Sequence, residues 1–531
     1  MIKNIKEFSN KCEILIFFLA IFSLIIATYY SDIDQRAVNA SLYLSKHLVN
    51  SNDLSLLSLV YSNSYTSIYQ ILTILLKLGF SPENLNFFIL FLSSIINSLG
   101  IFLISRSLTE NNFISFLIAI FLILTRLNLG NLDYPVLILS EHTNGMLGSA
   151  FPVLILGLIG NKNFRLALIF CIINVSVHIV IGAWFTLITL ISIYFHNKDL
   201  IISLKKNKNN IFIFTLLLLL FFLSISLFLF EKIYIPFDYN HELFQSYMLY
   251  WELHRSNTIP INFKYIFLSG LLLITSIFYM RNIEDKKNNN NKILMLKILI
   301  IHIIFSFLIY ISYKFFPNIF HEKIVTLMPS RLFIIHSFLG ISIIISIIFY
   351  FLFNFFRKKE FLYFLLIFLI LIHPTIYFQK YLKKVNTLYS SFIIKNNYDV
   401  NFWKSIESEK FNGGYFLSTS SACSKTIQKS KKPLLICIES IDYLPYLPNL
   451  VLPVSKIIEE IYEVSFQKPP EKNHGGLWYD SSYKHVFEKR TKDKWIKIAE
   501  KFNLNGLILP VTWELNLDKT LIGKNYTYYR F

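Results

Sequence analysis

Apolar runs close to 20 residues long recur through the first 377 positions and decide what this chain can fold into. The stretch 332–353 contains no Asp, Glu, Lys or Arg, and neither does 211–230. A helix of about 20 residues crosses the ~30 Å hydrocarbon layer with every backbone group bonded internally. Soluble domains carry roughly 25% charged residues; here charged residues are 16% and hydrophobic ones 54%. The fold class expected is therefore an α-helical polytopic membrane protein.

Eleven spans are predicted, at 14–30, 85–104, 113–129, 145–160, 166–181, 183–196, 211–230, 266–280, 293–313, 332–353 and 361–377. A tight turn near Gly182 is expected to join two of the shorter ones. Lys3, Lys6 and Lys11 precede the first run, which ends in Tyr29-Tyr30-Ser31-Asp32. With no small-residue cleavage site there, the run reads as an uncleaved first span.

The net charge of +18 would fit nucleic acid only if it were gathered on one element. No C-x-x-C pair, RNA-binding signature or continuous basic helix is present, so nucleic acid is excluded as a partner. The cations instead cluster in alternate loops, as in Lys205-Lys206-Asn207-Lys208, Lys286-Lys287 and Arg357-Lys358-Lys359. Arg36, Lys46, Lys232, Arg255, Lys264, Lys314 and Lys323 are scattered through the others. Positive charge gathers on the cytoplasmic side. The expectation is an N-terminus in the bacterial cytoplasm, a multi-pass domain over 1–377 and a tail over 378–531 in the periplasm. The AT-rich flavour of the Lys, Asn, Ile and Phe usage points to a bacterial inner membrane. Residues 31–84 form the first external loop, in which 54–80 is apolar but diluted by Ser, Asn and Tyr. Reading 54–80 as a span would invert every later loop, so interfacial or re-entrant helix is expected there.

Beyond position 377 the composition turns mixed and polar. Short apolar strands are expected at 414–418, 433–438, 506–509 and 526–531, with helices near 454–464 and 493–502. This pattern predicts a C-terminal extracytoplasmic α/β domain. Cys12 and Cys171 lie in or beside spans. Cys423 and Cys437 share the tail, where an oxidising compartment permits a disulfide without the spacing establishing one. No metal-ligand cluster, phosphate loop or nucleophile elbow is legible, and the cofactor stays open: a divalent cation is compatible, but no motif requires it.

Charged residues at a membrane face mark the places where chemistry can sit. Asp32 and Asp34 follow the first span directly, with Asp53 further on. Each can act as a general base toward a hydroxyl or as a solvated cap. Glu141 and His142 precede the fourth span, and either cap it or line a polar pocket. His178 lies in His178-Ile179-Val180-Ile181-Gly182-Ala183-Trp184, where structural roles are favoured. His254 and Arg255 precede Pro260, and Arg331 follows Pro329-Ser330. A guanidinium at headgroup level grips phosphate through paired hydrogen bonds or snorkels to lipid.

Taken in order, these features resemble the GT-C superfamily of membrane glycosyltransferases, in an uncharacterised bacterial branch. The likeness rests on a single first span, an acidic external loop with interfacial helix, many further spans and an external α/β tail. Within it lie the Leu166–Trp184 segment, the His/Arg loop ending near Pro260, the Arg331 position and the Trp495–Tyr529 tail segment. The resemblance implies transfer of a hexosyl or pentosyl group from a polyprenyl-phosphate donor to a glycan, lipid or protein acceptor. It implies Asp34 as base, with Asp32 and Asp53 as competitors, and Arg255 and Arg331 as phosphate clamps. His254, His178, Glu141 and His142 become substrate-binding candidates. The chain departs from the pattern in having no paired acidic motif after the first span and no oligosaccharyltransferase signature in the tail. The alternatives are a non-catalytic membrane scaffold and a lipid-linked glycan transporter. The sequence shows none of the inverted pairs of broken helices that transporters use.

Overall fold

The computed structural model describes residues 12–31, 33–48, 55–64, 66–125, 139–196, 234–252, 263–283, 289–315, 332–355, 360–370, 398–409, 413–474 and 480–531. The protein is largely helical, with a small sheet at its C-terminal end. Among the described residues, five helices are long and apolar enough to cross a membrane. They are Cys12–Tyr29, Pro82–Thr109, Thr143–Gly160, Ile179–His196 and Asn290–Ser312 within a longer helix. Further apolar helices span Asn112–Thr125, Phe164–Val177, Phe263–Asn282, Leu332–Phe355 and Glu360–Ile370. The expected span at 211–230 lies outside the described residues.

The apolar helices pack on small residues and hydroxyls, since lipid offers no hydrophobic drive toward association. Pro82–Thr109 and Thr143–Gly160 touch through two glycines. A Cβ on Gly100 would lie 2.7 Å from the Leu154 amide nitrogen, and one on Gly157 would lie 2.9 Å from the Gly100 carbonyl. Ser23 and Ser98 share a hydrogen bond of 3.3 Å across the first helix pair, and Ser105 and Ser346 one of 2.8 Å. Tyr279 donates to the Leu108 carbonyl at 3.0 Å.

The turn expected at Gly182 falls instead at His178, between Phe164–Val177 and Ile179–His196. Gly182 is inside the second helix, and a Cβ there would sit 2.5 Å from the Asn174 carbonyl. Its role is close approach of two antiparallel helices rather than chain reversal.

Between the first two long helices the described residues form three short ones: Arg36–Leu44, Leu56–Ser62 and Ser67–Lys77. The longest of these has 11 residues, about 16 Å of helix, and cannot cross a bilayer. Ser55 caps Leu56–Ser62 by accepting from the Ser58 amide. Thr66 Oγ1 donates to the Val177 carbonyl at 2.8 Å, so Ser67–Lys77 is seated at the mouth of the His178 turn.

The tail sheet has four strands in the order β1-β2-β4-β3: Tyr415–Ser418, Leu504–Pro510, Tyr526–Arg530 and Lys519–Ile522. Strand β1 runs parallel to β2, and β4 antiparallel to both β2 and β3. Central β2 buries Leu507, Ile508 and Leu509 in succession, as a strand covered on both faces does. The strand expected at 433–438 reduces to a single bridge between Phe416 and Leu434. Phe416 donates to the Pro433 carbonyl and accepts from the Leu435 amide, while the Leu434 amide faces away from β1 and donates to Tyr43 Oη at 2.9 Å. The ladder stops there because the Cys437 amide, the next donor in a parallel register, donates to Ser440 Oγ at 3.3 Å. Cys437 then opens a short helix, Ile438–Asp442. The helices Tyr398–Ser408 and Cys423–Ser430 and strand β3 were not foreseen. Cys423 and Cys437 are joined as a disulfide.

Candidate functional site

Among the described residues, a dense polar network forms where the Arg36–Leu44 helix meets the tail. Arg36 opens that helix, and its guanidinium is the hub. Nη1 donates to Asp442 Oδ2 at 2.9 Å and Nη2 to Glu141 Oε1 at 3.0 Å, while Nε lies 4.0 Å from Glu439 Oε1. The carboxylates differ in exposure: Glu141 is 52% exposed at its side chain, Asp442 22% and Glu439 1%. Burial alone would lower the Arg36 value, but the three carboxylates outweigh it, Glu439 most strongly, and hold it raised. Glu439 is shifted the other way for an acid. Its burial lifts the carboxyl above the usual carboxylate range, and Arg36 pulls it only part of the way back.

One turn along, Asn39 extends the network. Its Nδ2 donates to Ser424 Oγ at 2.9 Å and to Glu439 Oε1 at 3.2 Å. Gln428 of Cys423–Ser430 donates to Asn39 Oδ1 at 2.9 Å and to the Gln35 carbonyl at 3.1 Å. Asn86, in the second turn of Pro82–Thr109, bridges the two segments by donating to Gln428 Oε1 at 2.7 Å and accepting from the Gln35 amide at 2.9 Å. Gln35 in turn donates to the Ser140 carbonyl and accepts from Thr143 Oγ1. Four stretches of chain thus meet in one polar layer: 35–39, Asn86, 140–143 and 424–442. Buried amides so paired specify a single docking geometry.

A second cluster lies beside it. Tyr69 Oη and Tyr443 Oη are 2.5 Å apart, and Asn144 Nδ2 donates to Tyr69 Oη at 3.2 Å. Burial pushes both phenols above their ordinary value, so they act as neutral donors and acceptors. Further round the tail, Trp251 Nε1 donates to the Phe466 carbonyl at 2.7 Å and its ring stacks on Phe466. Tyr247 Oη donates to the Ile441 carbonyl at 2.8 Å and is bonded to buried Glu252.

Of the sequence candidates, the structure brings Glu141 directly onto Arg36. His142 Nε2 lies 3.9 Å from Glu141 Oε1. Asp34 is half-buried, two residues before Arg36 at the edge of the cluster. His178 is buried at the helix turn, where its Nδ1 accepts from the Ile181 amide at 3.3 Å and its Cβ meets Gly148. Asp32, Asp53, His254, Arg255 and Arg331 lie outside the described residues. Sequence reasoning missed Arg36, Gln35, Asn39, Asn86, Gln428, Glu439 and Asp442. By sequence alone Arg36 is one of several scattered cations.

Cys423, Cys437 and Glu439 place two sulfurs and a carboxylate within 4.8 Å of one another, the spread of a metal-ligand set. The sulfurs are bonded to each other, and a metal needs thiolates. The group therefore ties together the two tail helices that hold Arg36 and Asn39. Neither a scan of protein-family models nor a search of curated proteins gives a match to this chain.

Proposed function

We propose that this chain is an integral membrane glycosyltransferase of GT-C architecture with about eleven spans, using a polyprenyl-phosphate-linked sugar at the outer face of the bacterial cytoplasmic membrane. In this reading the N-terminus is cytoplasmic and residues 378–531 are periplasmic. The supporting observation is the path of the chain after its first long apolar helix. It folds straight back into a carboxylate-rich layer closed by the tail, with Asp34 half-buried at its edge. An acidic residue there, at the end of a span, stands where an acceptor hydroxyl and a lipid phosphate can meet.

Asp34 would take the acceptor's hydroxyl proton as that oxygen bonds to the anomeric carbon. The bond from that carbon to the phosphate oxygen breaks, and polyprenyl phosphate leaves with the electron pair. Arg255 and Arg331 are proposed to hold the phosphate, and Arg36 with Glu141 and Asp442 to shape the acceptor side.

The test is sugar release by purified protein in lipid bilayers supplied with polyprenyl-phosphate sugars. Asp34→Asn should lower release by roughly 10²–10⁴-fold, the usual contribution of a general base. Unchanged release in Asp34→Asn but loss in Asp53→Asn would move the base. A second reading, a non-catalytic scaffold, is favoured by the dense pairing of the junction's buried amides. Absence of release from every donor by folded protein would select it.

A further inference from the structure

On the side of the molecule away from the polar layer, a cavity of about 370 Å³ opens between Phe164–Val177 and Ile179–His196. Its wall comes from the first half of one helix and the last half of the other, so it lies at the end bounded by the 161–163 turn. Ile159, Ala167, Leu168, Cys171 and Ile193 make the interior almost purely hydrocarbon. The buried Thr189 hydroxyl has no hydrogen-bond partner among the described residues. The outer edge is formed by Leu190, Tyr194 and Phe195, all exposed, so the cavity opens sideways into the layer that holds lipid chains.

The rim at this end is cationic. Lys162 and Arg165 flank the lining residue Phe164, both are exposed, and neither has an ion-pair partner among the described residues. His196 follows the lining residue Phe195, and Lys297 of the neighbouring Asn290–Phe315 helix lies within electrostatic reach of it. Lys162 sits in the left-handed backbone region (φ 66°), at the turn that carries the chain from Ile159 to Phe164. An open hydrocarbon slot beneath exposed Lys162 and Arg165 complements one kind of molecule: an acyl chain below an anionic headgroup.

We propose that this cavity is a specific binding site for an anionic phospholipid of the leaflet on the 161–163 side. One acyl chain fills the slot, and the headgroup phosphate is held by Lys162 and Arg165. The inference does not depend on the transferase reading, because the site lies at the opposite end of the helices from Asp34 and the polar layer.

Delipidated full-length protein, reconstituted separately with phosphatidylglycerol and phosphatidylcholine, tests it by native mass spectrometry of the protein released from the bilayer. One phosphatidylglycerol should stay bound, and phosphatidylcholine should not. Lys162→Gln with Arg165→Gln should weaken retention by about fivefold for each cation removed. Ala167→Phe, which fills the slot, should reduce it to background. The rim variant is confined to exposed side chains and keeps the test decisive if Ala167→Phe fails to fold. Equal retention of the two lipids, retention unaffected by the rim variant, or retention of neither lipid by the parent protein would overturn the proposal.

Discussion

Replacing Arg36 with Leu should undo the docking of the tail while leaving the apolar helices intact. The guanidinium makes two hydrogen bonds to charged partners, each ordinarily about 1.5–3 kcal/mol. The bond to Glu141 counts for less than about 1 kcal/mol, because that side chain is 52% exposed and water screens it. Asp442, at 22%, keeps the lower part of the range. Glu439 dominates, since removing the cation from a buried pair costs roughly 3–5 kcal/mol. It escapes part of that cost by taking up a proton, toward which its environment already inclines it. The net expectation is about 3 kcal/mol at neutral pH, or roughly a hundredfold in the docking equilibrium.

Opening free energies from backbone hydrogen exchange provide the assay, compared between Arg36–Leu44, Cys423–Ser430 and Ile438–Asp442 on one side and Pro82–Thr109 on the other. The first three should open more easily in the variant and the fourth should not change. The pH dependence sharpens the test. The folded value of Glu439 lies above its unfolded one, so its contribution is complete below the ordinary carboxylate value and is lost as pH rises through the folded value. Arg36 is what holds that folded value down. Removing it moves the window upward, so the variant should be hurt most near neutral pH and least in acid. Equal protection in variant and parent at neutral pH, or a deficit that grows on acidification, would refute the reasoning.

Two further outcomes follow from packing and linkage. Gly100→Ala should cost about 1–3 kcal/mol by overpacking against the Leu154 backbone, whereas Gly270→Ala, with nothing within 4 Å of the added carbon, should be neutral or slightly stabilising in the same detergent melt. Similar melting of the two variants would contradict the close helix contact. The paired Cys423→Ser and Cys437→Ser substitution opens a loop of 14 residues and should weaken the tail by about 3 kcal/mol, read from its tryptophan fluorescence in denaturant. A tail equally stable without the bond would show that the disulfide contributes nothing to its stability.

Much of the helical framework was legible because a span is a local object. The apolar runs at 14–30, 85–104 and 145–160 match helices within a few residues, since composition alone decides what lipid accepts. The strands at 414–418, 506–509 and 526–531 were legible for a similar reason, as short β-rich runs bounded by turn residues. The misplacements occur where a distant partner intervenes. Gly182 looked like a turn because glycine permits one, but its lack of a side chain serves the Asn174 contact. The 433–438 segment reads as a strand, but Tyr43 packs on its far side through the Leu434 amide and the Cys437 amide turns to Ser440, so the pairing with β1 ends after one bridge.

The candidate site shows the same division more sharply. Asp34, Glu141 and His142 attracted attention as charges beside spans, and that much required only their neighbours in sequence. Arg36 and Asp442 are 406 positions apart, and Asn39 and Glu439 are 400 apart. Nothing in the local pattern of either partner announces the other, because a hydrogen bond specifies geometry and leaves no periodicity behind. The sequence by itself determined a helical, membrane-embedding chain with a mixed tail, since burial in lipid depends on composition along one helix. Only the tertiary structure decided that Arg36 faces three carboxylates and that the disulfide-linked helices of the tail close over it. Those contacts exist because separate elements bury polar groups against one another, and a buried polar group must find its partner wherever the fold supplies one.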